Sequence, residues 1–524
     1  MGDDSHYHIH RHDDNIHGDD SKELSWWQYS LLGLLLIAGF LVVYKIHYSY
    51  DQAYIDPHSA QFMISGTISN YPFPFHADEW SHLAQAQYIM TEHKMPNVNP
   101  YLQSVPRTDL EGGFHTFLAS LFTLSGLDPI KSYQFLPAIM MIITMLSIFL
   151  FLYVITKNYF IALLGPAFLL LVRSNINILG PWFSVPMTFS LFFIFMFFAS
   201  YLSRFKMLSI IFFVGCVLTY PIAAIIIAIT LFLYELVNIL IYKKMKLLEK
   251  KYWKYYIIAI VVLSGLAVLL FKGNLSAIPL IFKYGWTINF EQTYMPWDMY
   301  GAIACIIAVI GLVILFWKKL SSIFWILPLI FTIPLLMYMI FRFTILIPYQ
   351  RAFFYFLISL TILSAIGASY ICRILAGLIK KPWLSSAIMI LLLLVTFIMG
   401  FSGYYRIDDQ RFRLVHYIEQ RDVNAFSWIK GNYDNVTIMA DMFTSFTIYP
   451  LSGMQVIGVA PSNLEVGDEN AISDFFYNAH DCSSKFYALS RERPKLVYSY
   501  EPIDCNYLKE KYSKDGIYIY EASY

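Results

Sequence analysis

A succession of long, nearly uncharged apolar runs limits this chain's fold more than any other feature. A helix needs roughly 20 mainly apolar residues to cross a hydrocarbon core. On that measure, spans fall near 27–44, 133–155, 159–172, 183–201, 207–220, 222–242, 255–271, 300–317, 323–341, 352–371 and 384–402. The count of eleven carries a margin of about two, because the runs at 159–172 and 207–220 are short. Composition agrees: 58% of the 524 residues are hydrophobic and 14% charged, whereas a soluble domain carries roughly 25% charge. The net charge of +1 comes without a dense Lys/Arg stripe outside the loops between spans, which argues against a nucleic-acid partner.

Charge in the loops orients the spans. Arg204 with Lys206, the lysines from Lys243 to Lys254, Lys318 with Lys319, and Arg373 with Lys380 and Lys381 all fall on the N-terminal side. The positive-inside rule makes that side the cytoplasm. An odd number of spans then places the C-terminus outside, with the long first loop. The expected organisation is a disordered cytoplasmic tail at 1–25, a membrane domain at 26–402 with its first outer loop at 45–132, and an extracytoplasmic α/β domain at 403–524. A multi-pass protein of the cell (cytoplasmic) membrane is expected. The tail carries His6, His8, His10 and His12 at every second position, flanked by Asp3-Asp4 and Asp13-Asp14; such a tract can bind metal, but nothing there closes a site, and a solvated tail is expected.

From about 403 onward the pattern changes. Residues 414–430 read as a helix, followed by β-rich runs at 436–440, 454–460, 495–500 and 516–520 with helical segments near 468–480 and 503–511. No phosphate loop, GxGxxG or nucleophile elbow is present, so this region is read as structural or acceptor-positioning. Cys482 and Cys505 can pair there if the compartment is oxidising, while Cys216, Cys305 and Cys372 read as small buried hydrophobes.

The chemistry concentrates in the first outer loop, in Phe73-Pro-Phe-His-Ala-Asp-Glu-Trp-Ser-His82. Residues 79–90 read as a helix with Asp78 as its N-cap. His82 lies four residues after Asp78 and three after Glu79, a spacing that lets it meet either on a helix surface. A carboxylate beside an imidazole suits general-base work on an acceptor hydroxyl. The plainer alternative is that Asp78 caps the helix and Glu79 is solvated. Metal binding by His76, Asp78 and His82 is permitted by spacing, but no further His/Cys set is evident; no metal ligand is assigned, and a divalent cation (Mg or Mn) stays open as a cofactor. A second short helix at 113–125 lies at the interface.

A lipid-phosphate leaving group would need a cation. Arg351, in Pro348-Tyr-Gln-Arg-Ala-Phe-Phe-Tyr355, sits at the outer mouth of a span, where a charge is costly and usually functional and a guanidinium matches phosphate. Arg342 and Arg173 are weaker candidates of the same kind. His76, His115 and Tyr349 are expected to line the cavity.

With these residues in place, the chain resembles the GT-C superfamily of membrane glycosyltransferases. The likeness rests on Asp78-Glu79 in a long first outer loop, the loop's interfacial helices, Arg351-Ala-Phe-Phe at the entry to a late span, and the outer α/β domain. Asn424-Ala-Phe-Ser-Trp-Ile-Lys-Gly-Asn432 followed by Val436-Thr-Ile-Met-Ala-Asp441 is similar to the start of the soluble domain in prokaryotic members. The resemblance implies a prokaryotic, inverting transfer of one sugar from a polyprenyl-phosphate donor to a glycan, lipid or protein acceptor. Asp78 would be the base, Glu79 its partner or a second acidic ligand, and Arg351 the phosphate contact. Trp297-Asp-Met-Tyr-Gly301 looks like the WWDYG motif of oligosaccharyltransferases but precedes a span; an interfacial aromatic belt explains it more simply. A transporter or flippase is the main rival, weakened by the lack of half-to-half symmetry. A non-enzymatic scaffold leaves Asp78, His82 and Arg351 without a purpose.

Overall fold

The computed structural model describes residues 25–55, 62–106, 109–174, 178–242, 293–318, 320–344, 347–380, 382–402, 418–459, 469–479 and 481–524. The histidine-rich tail, the lysine cluster at 243–254, the expected span at 255–271 and the sequon at Asn274 lie outside the described residues.

Among the described residues, five helices are long and apolar enough to cross a membrane: Trp26–Tyr48, Pro129–Thr156, Pro221–Asn238, Ile323–Phe341 and Tyr349–Ile379. Five shorter apolar helices, Tyr159–Leu169, Pro186–Leu202, Lys206–Thr219, Ala302–Trp317 and Ser386–Ser402, occupy other expected spans. Proline opens several helices, at Pro186, Pro221 and Pro382, where its missing N–H costs nothing. Leu34, Ile37, Leu41, Val313, Ile340 and Leu394 point outward from the bundle, an arrangement that suits lipid and not water.

The bundle has two distinguishable ends. At one, the Trp27 ring meets Tyr159 at 6.1 Å. At the other, Lys45 Nζ donates to the Phe401 carbonyl at 2.9 Å. Of the five long helices, Tyr349–Ile379 is the most enclosed, with 94% of its apolar window buried. It crosses Ala302–Trp317 at backbone contact: a Cβ on Gly311 would lie 2.0 Å from the Leu363 carbonyl oxygen, and one on Gly367 2.2 Å from that of Ile307. Small residues at a helix crossing replace the missing hydrophobic drive with close van der Waals packing.

The Lys45 end carries the first loop. Two antiparallel hairpins, Ser49–Ile55 with Phe62–Ser69 and Val98–Asn99 with Leu102–Pro106, flank the helices Ala77–Glu92 and Gly112–Ser125. Gly113 presses on the end of Lys206–Thr219, where a Cβ would meet the Leu218 carbonyl oxygen at 2.6 Å. That contact holds the short loop helix against the bundle's end.

The C-terminal region folds around a five-stranded mixed sheet in the order Gln455–Val456, Thr437–Met439, Leu496–Ser499, Ile517–Ala522, Leu508–Lys514. The first three strands are parallel and the last two antiparallel. Four of the strands match the β-rich runs. The expected helix at 503–511 is instead the edge strand Leu508–Lys514. Its helix-forming Lys and Glu residues yield to a two-residue turn, Asp515-Gly516, with φ of +54° and +74°, the geometry of a hairpin turn that suits strand twist. The helix Cys482–Glu492 was not expected, and a disulfide joins Cys482 to Cys505.

This sheet packs on the first loop. The Tyr101 hydroxyl donates to the Phe446 carbonyl at 2.9 Å, and the Tyr101 carbonyl accepts from Val456 N–H at 3.0 Å.

Candidate active site

The helix Ala77–Glu92 begins two residues before the expected start at 79. His76 is the N-cap: its Nδ1 accepts from the Asp78 amide at 3.1 Å. Glu79 closes a capping box from the third helical position, its Oε2 accepting from the Phe75 and His76 amides at 2.9 and 3.2 Å. Asp78 therefore stands in the first turn with its carboxylate uncommitted to capping.

Glu79 is fully buried, not solvated. Its Oε1 accepts from the Ser184 amide at 2.8 Å, and the Ser184 carbonyl accepts from the Tyr133 hydroxyl at 2.9 Å. One carboxylate thus joins the first loop, the segment before Pro186–Leu202, and the entry to Leu136–Thr156. Burial pushes the Glu79 carboxyl up to about 7, partly offset by the amides of Ser184, Phe75 and His76. Within residues 73–86, Asp78 is the one residue that is not buried; its side chain is 37% exposed.

The second helix brings in residues that sequence reasoning passed over. His82 Nδ1 lies 2.9 Å from His115 Nε2 and 3.9 Å from Glu111 Oε2. His115 Nδ1 lies 2.7 Å from Asp109 Oδ2, and Asp109 Oδ1 accepts from the Glu111 amide at 3.0 Å. Phe114 stands edge-on to the His82 ring at 5.3 Å. His82, Glu111 and His115 offer ligand atoms that all lie within 4.8 Å of one another. The signal for Asp109 and Glu111 was available: two acids directly before a Gly-Gly-Phe-His helix start.

The cationic residues fall elsewhere on the same end of the bundle. Arg342 caps Ile323–Phe341 and lies 5.7 Å over Tyr338, which stacks on Tyr349 at 4.4 Å. Tyr349 is buried, and its hydroxyl is engaged by the backbone of Tyr294. Arg173 is tied to the Pro296–Tyr300 turn: its amide donates to the Met299 carbonyl at 2.8 Å and its Nη1 to that of Asp298 at 3.3 Å. Arg351 is half-buried in the first turn of Tyr349–Ile379. One turn deeper, the Tyr355 hydroxyl meets Ser190 Oγ of Pro186–Leu202 at 2.9 Å. Both helices start at the loop end, so Arg351, about 6 Å above Tyr355 along the axis, stands level with Pro186. Ser184, which holds Glu79, is two residues before that proline.

No family model matches the chain, and no curated protein matches it by sequence. Solved structures do match. The oligosaccharyltransferase AglB of Archaeoglobus fulgidus in its apo form aligns with TM-score 0.58 and 12% identity, covering 91% of this chain and 70% of that one. The same enzyme in complex with Zn and sulfate gives TM-score 0.55 and 11% identity, covering 90% of this chain and 67% of that one; it is matched also in complex with an inhibitory peptide and a dolichol-phosphate. ArnT of Cupriavidus metallidurans, in the apo state, gives TM-score 0.54 and 9% identity, covering 94% of this chain and 97% of that one. At such identities the likeness is one of architecture, and it extends over nearly the whole chain: this protein shares its fold with the archaeal oligosaccharyltransferase AglB and with ArnT.

Proposed function

We propose that the protein is an inverting GT-C-type glycosyltransferase that moves a hexosyl or pentosyl group from a polyprenyl-phosphate donor to a glycan, lipid or protein acceptor. Asp78 takes the proton from the acceptor hydroxyl and Arg351 stabilises the departing lipid phosphate. The observation that carries the reading is the exposure of Asp78 alone within an otherwise buried stretch, fixed in place by the His76–Glu79 capping box. Glu79 serves as a positioning residue, because both its oxygens are spent on amides.

Charge and redox chemistry support an orientation with the loop end outside. Arg204, Lys206, Lys318 and Lys380 flank helix ends away from the loop, in line with a cytoplasmic face for that end. The Cys482–Cys505 bond on the opposite side fits an oxidising, extracytoplasmic compartment. Support for a lipid donor comes from the fold shared with AglB, which has been solved with a dolichol-phosphate. A divalent cation is compatible with that fold, since AglB has also been solved with Zn.

The reading is tested in detergent with labelled polyprenyl-phosphate sugars and product analysis by NMR. It predicts transfer with inverted anomeric configuration, and a loss of roughly 100-fold in Arg351→Gln, in keeping with removal of a charge-stabilising group at the reacting centre. Retained configuration would contradict a single displacement with Asp78 as base.

A further inference from the structure

We propose that His82, Glu111 and His115 form a binding site for a divalent transition-metal ion of the zinc class, with Asp109 supporting His115 from behind. The ligand set lies wholly within the first loop, two residues coming from the start of one helix and one from the other.

The first argument is convergence. Three potential ligand atoms from two helices lie within 4.8 Å of one another, around a nearly buried His82 and a fully buried His115. Metal–nitrogen bonds of about 2.0–2.1 Å at tetrahedral angles would hold ligand atoms roughly 3.3 Å apart. The observed separations, 2.9 Å for the two imidazoles and 3.9 Å for His82 to Glu111, fall on either side of that spacing. Small side-chain rotations close the difference.

The second argument concerns protons. Asp109 Oδ1 is held by the Glu111 amide, which aims Oδ2 at His115 Nδ1. A carboxylate there keeps the proton on Nδ1, so His115 Nε2 presents a lone pair toward His82. This is the carboxylate–histidine arrangement by which outer groups fix the tautomer and ring orientation of a ligating imidazole. Without an ion, one proton on His82 Nδ1 fills the gap between the rings. A cation takes that place once His82 moves its proton to Nε2.

The donor set selects the ion. Two imidazoles and one carboxylate suit zinc, cobalt or manganese, whereas magnesium prefers all-oxygen octahedra with several retained waters. Three protein ligands leave a fourth position for an oxygen ligand. His82 follows Asp78 by four residues on one helix, so that position opens near the proposed base. The ion's part in sugar transfer rests on the function proposed above; its binding does not.

The test measures binding without turnover. Full-length protein in detergent, with His6, His8, His10, His12 and His17 replaced by Ala so that the tail cannot contribute, is stripped with chelator. It is then titrated with Co2+, read by the visible absorption of four-coordinate cobalt, and with Zn2+ by elemental analysis. One ion per chain and an intense band that Zn2+ abolishes are expected. Asp109→Asn should weaken binding about 10- to 100-fold, and Asp78→Asn should leave the band in place. His115→Ala should abolish it, and Glu111→Gln, at a part-exposed position that folding tolerates, should weaken binding and alter the band. No band in the parent protein, or an unchanged band in Glu111→Gln, overturns the site. In either case an intact transfer activity would leave the glycosyltransferase reading standing, and binding without activity would do the reverse.

Discussion

Glu79 is where the sequence pattern and the structure part most instructively. The Asp-Glu pair reads as two candidate acids, and their adjacency offers no way to tell them apart. Burial does: Glu79 is enclosed and takes amide hydrogen bonds from Phe75, His76 and Ser184, while Asp78 reaches solvent. The Ser184 amide could not be foreseen, because it arrives from a segment 105 residues away. A pH dependence follows. The folded-state value near 7 lies above the usual 4.5, so the folded protein binds the proton more tightly than the unfolded chain. Stability is therefore highest at low pH within this window and declines as pH rises from about 4.5 to 7, by on the order of 3 kcal/mol, then levels off. Unfolding temperatures of wild type and Glu79→Gln across pH 5–8 test this. The wild type should lose stability along that range and the variant should lack this component; identical slopes would remove Glu79 as the titrating group.

At the scale of elements, the membrane helices were legible because an apolar run long enough to span has few other fates. All ten span-like helices among the described residues fall on expected runs. Starts and edges were less legible. His76 caps its helix through a ring nitrogen, outside the Ser/Thr/Asp/Asn set that marks a start, so the start was assigned too late. The 508–522 hairpin was hidden by helix-forming side chains on its solvent-facing edge strand, although Asp515-Gly516 carried the turn signal. The crossing at Gly311 and Gly367 is equally silent in composition, yet a Cβ there would strike backbone. Gly367→Leu should cost at least about 2 kcal/mol through overpacking, seen as a lowered melting temperature in detergent. An unchanged melting temperature would mean that the two helices do not meet as described.

Across the whole molecule, the first loop and the C-terminal sheet form a continuous layer. Tyr101 bonds to Phe446 and Val456, and Asp422 receives the hydroxyls of Tyr498 and Tyr500 at 2.5 and 2.8 Å. The Cys482–Cys505 bond closes a loop of 23 residues in that region. Its removal in Cys482→Ser/Cys505→Ser should cost about 3 kcal/mol on chain-entropy grounds. The loss should appear as earlier proteolysis of residues beyond 418, with the membrane helices still protected; equal protection of both forms would show that the bond constrains little. Sequence alone supplied four of the five sheet strands and the two cysteines, but not the docking, because Tyr101, which makes it, looks like any other tyrosine in an aromatic-rich chain.

The proposed function makes Asp78, presented at the loop end of the bundle, the base for sugar transfer. It is tested most directly by measuring transfer in proteoliposomes from a panel of labelled polyprenyl-phosphate sugars, comparing wild type with Asp78→Asn. Donor-dependent transfer is expected of the wild type, with a loss of roughly 100-fold or more in the variant. Full activity in Asp78→Asn would contradict the catalytic assignment, and labelled lipid crossing the bilayer with no donor turned over would contradict the enzyme reading itself.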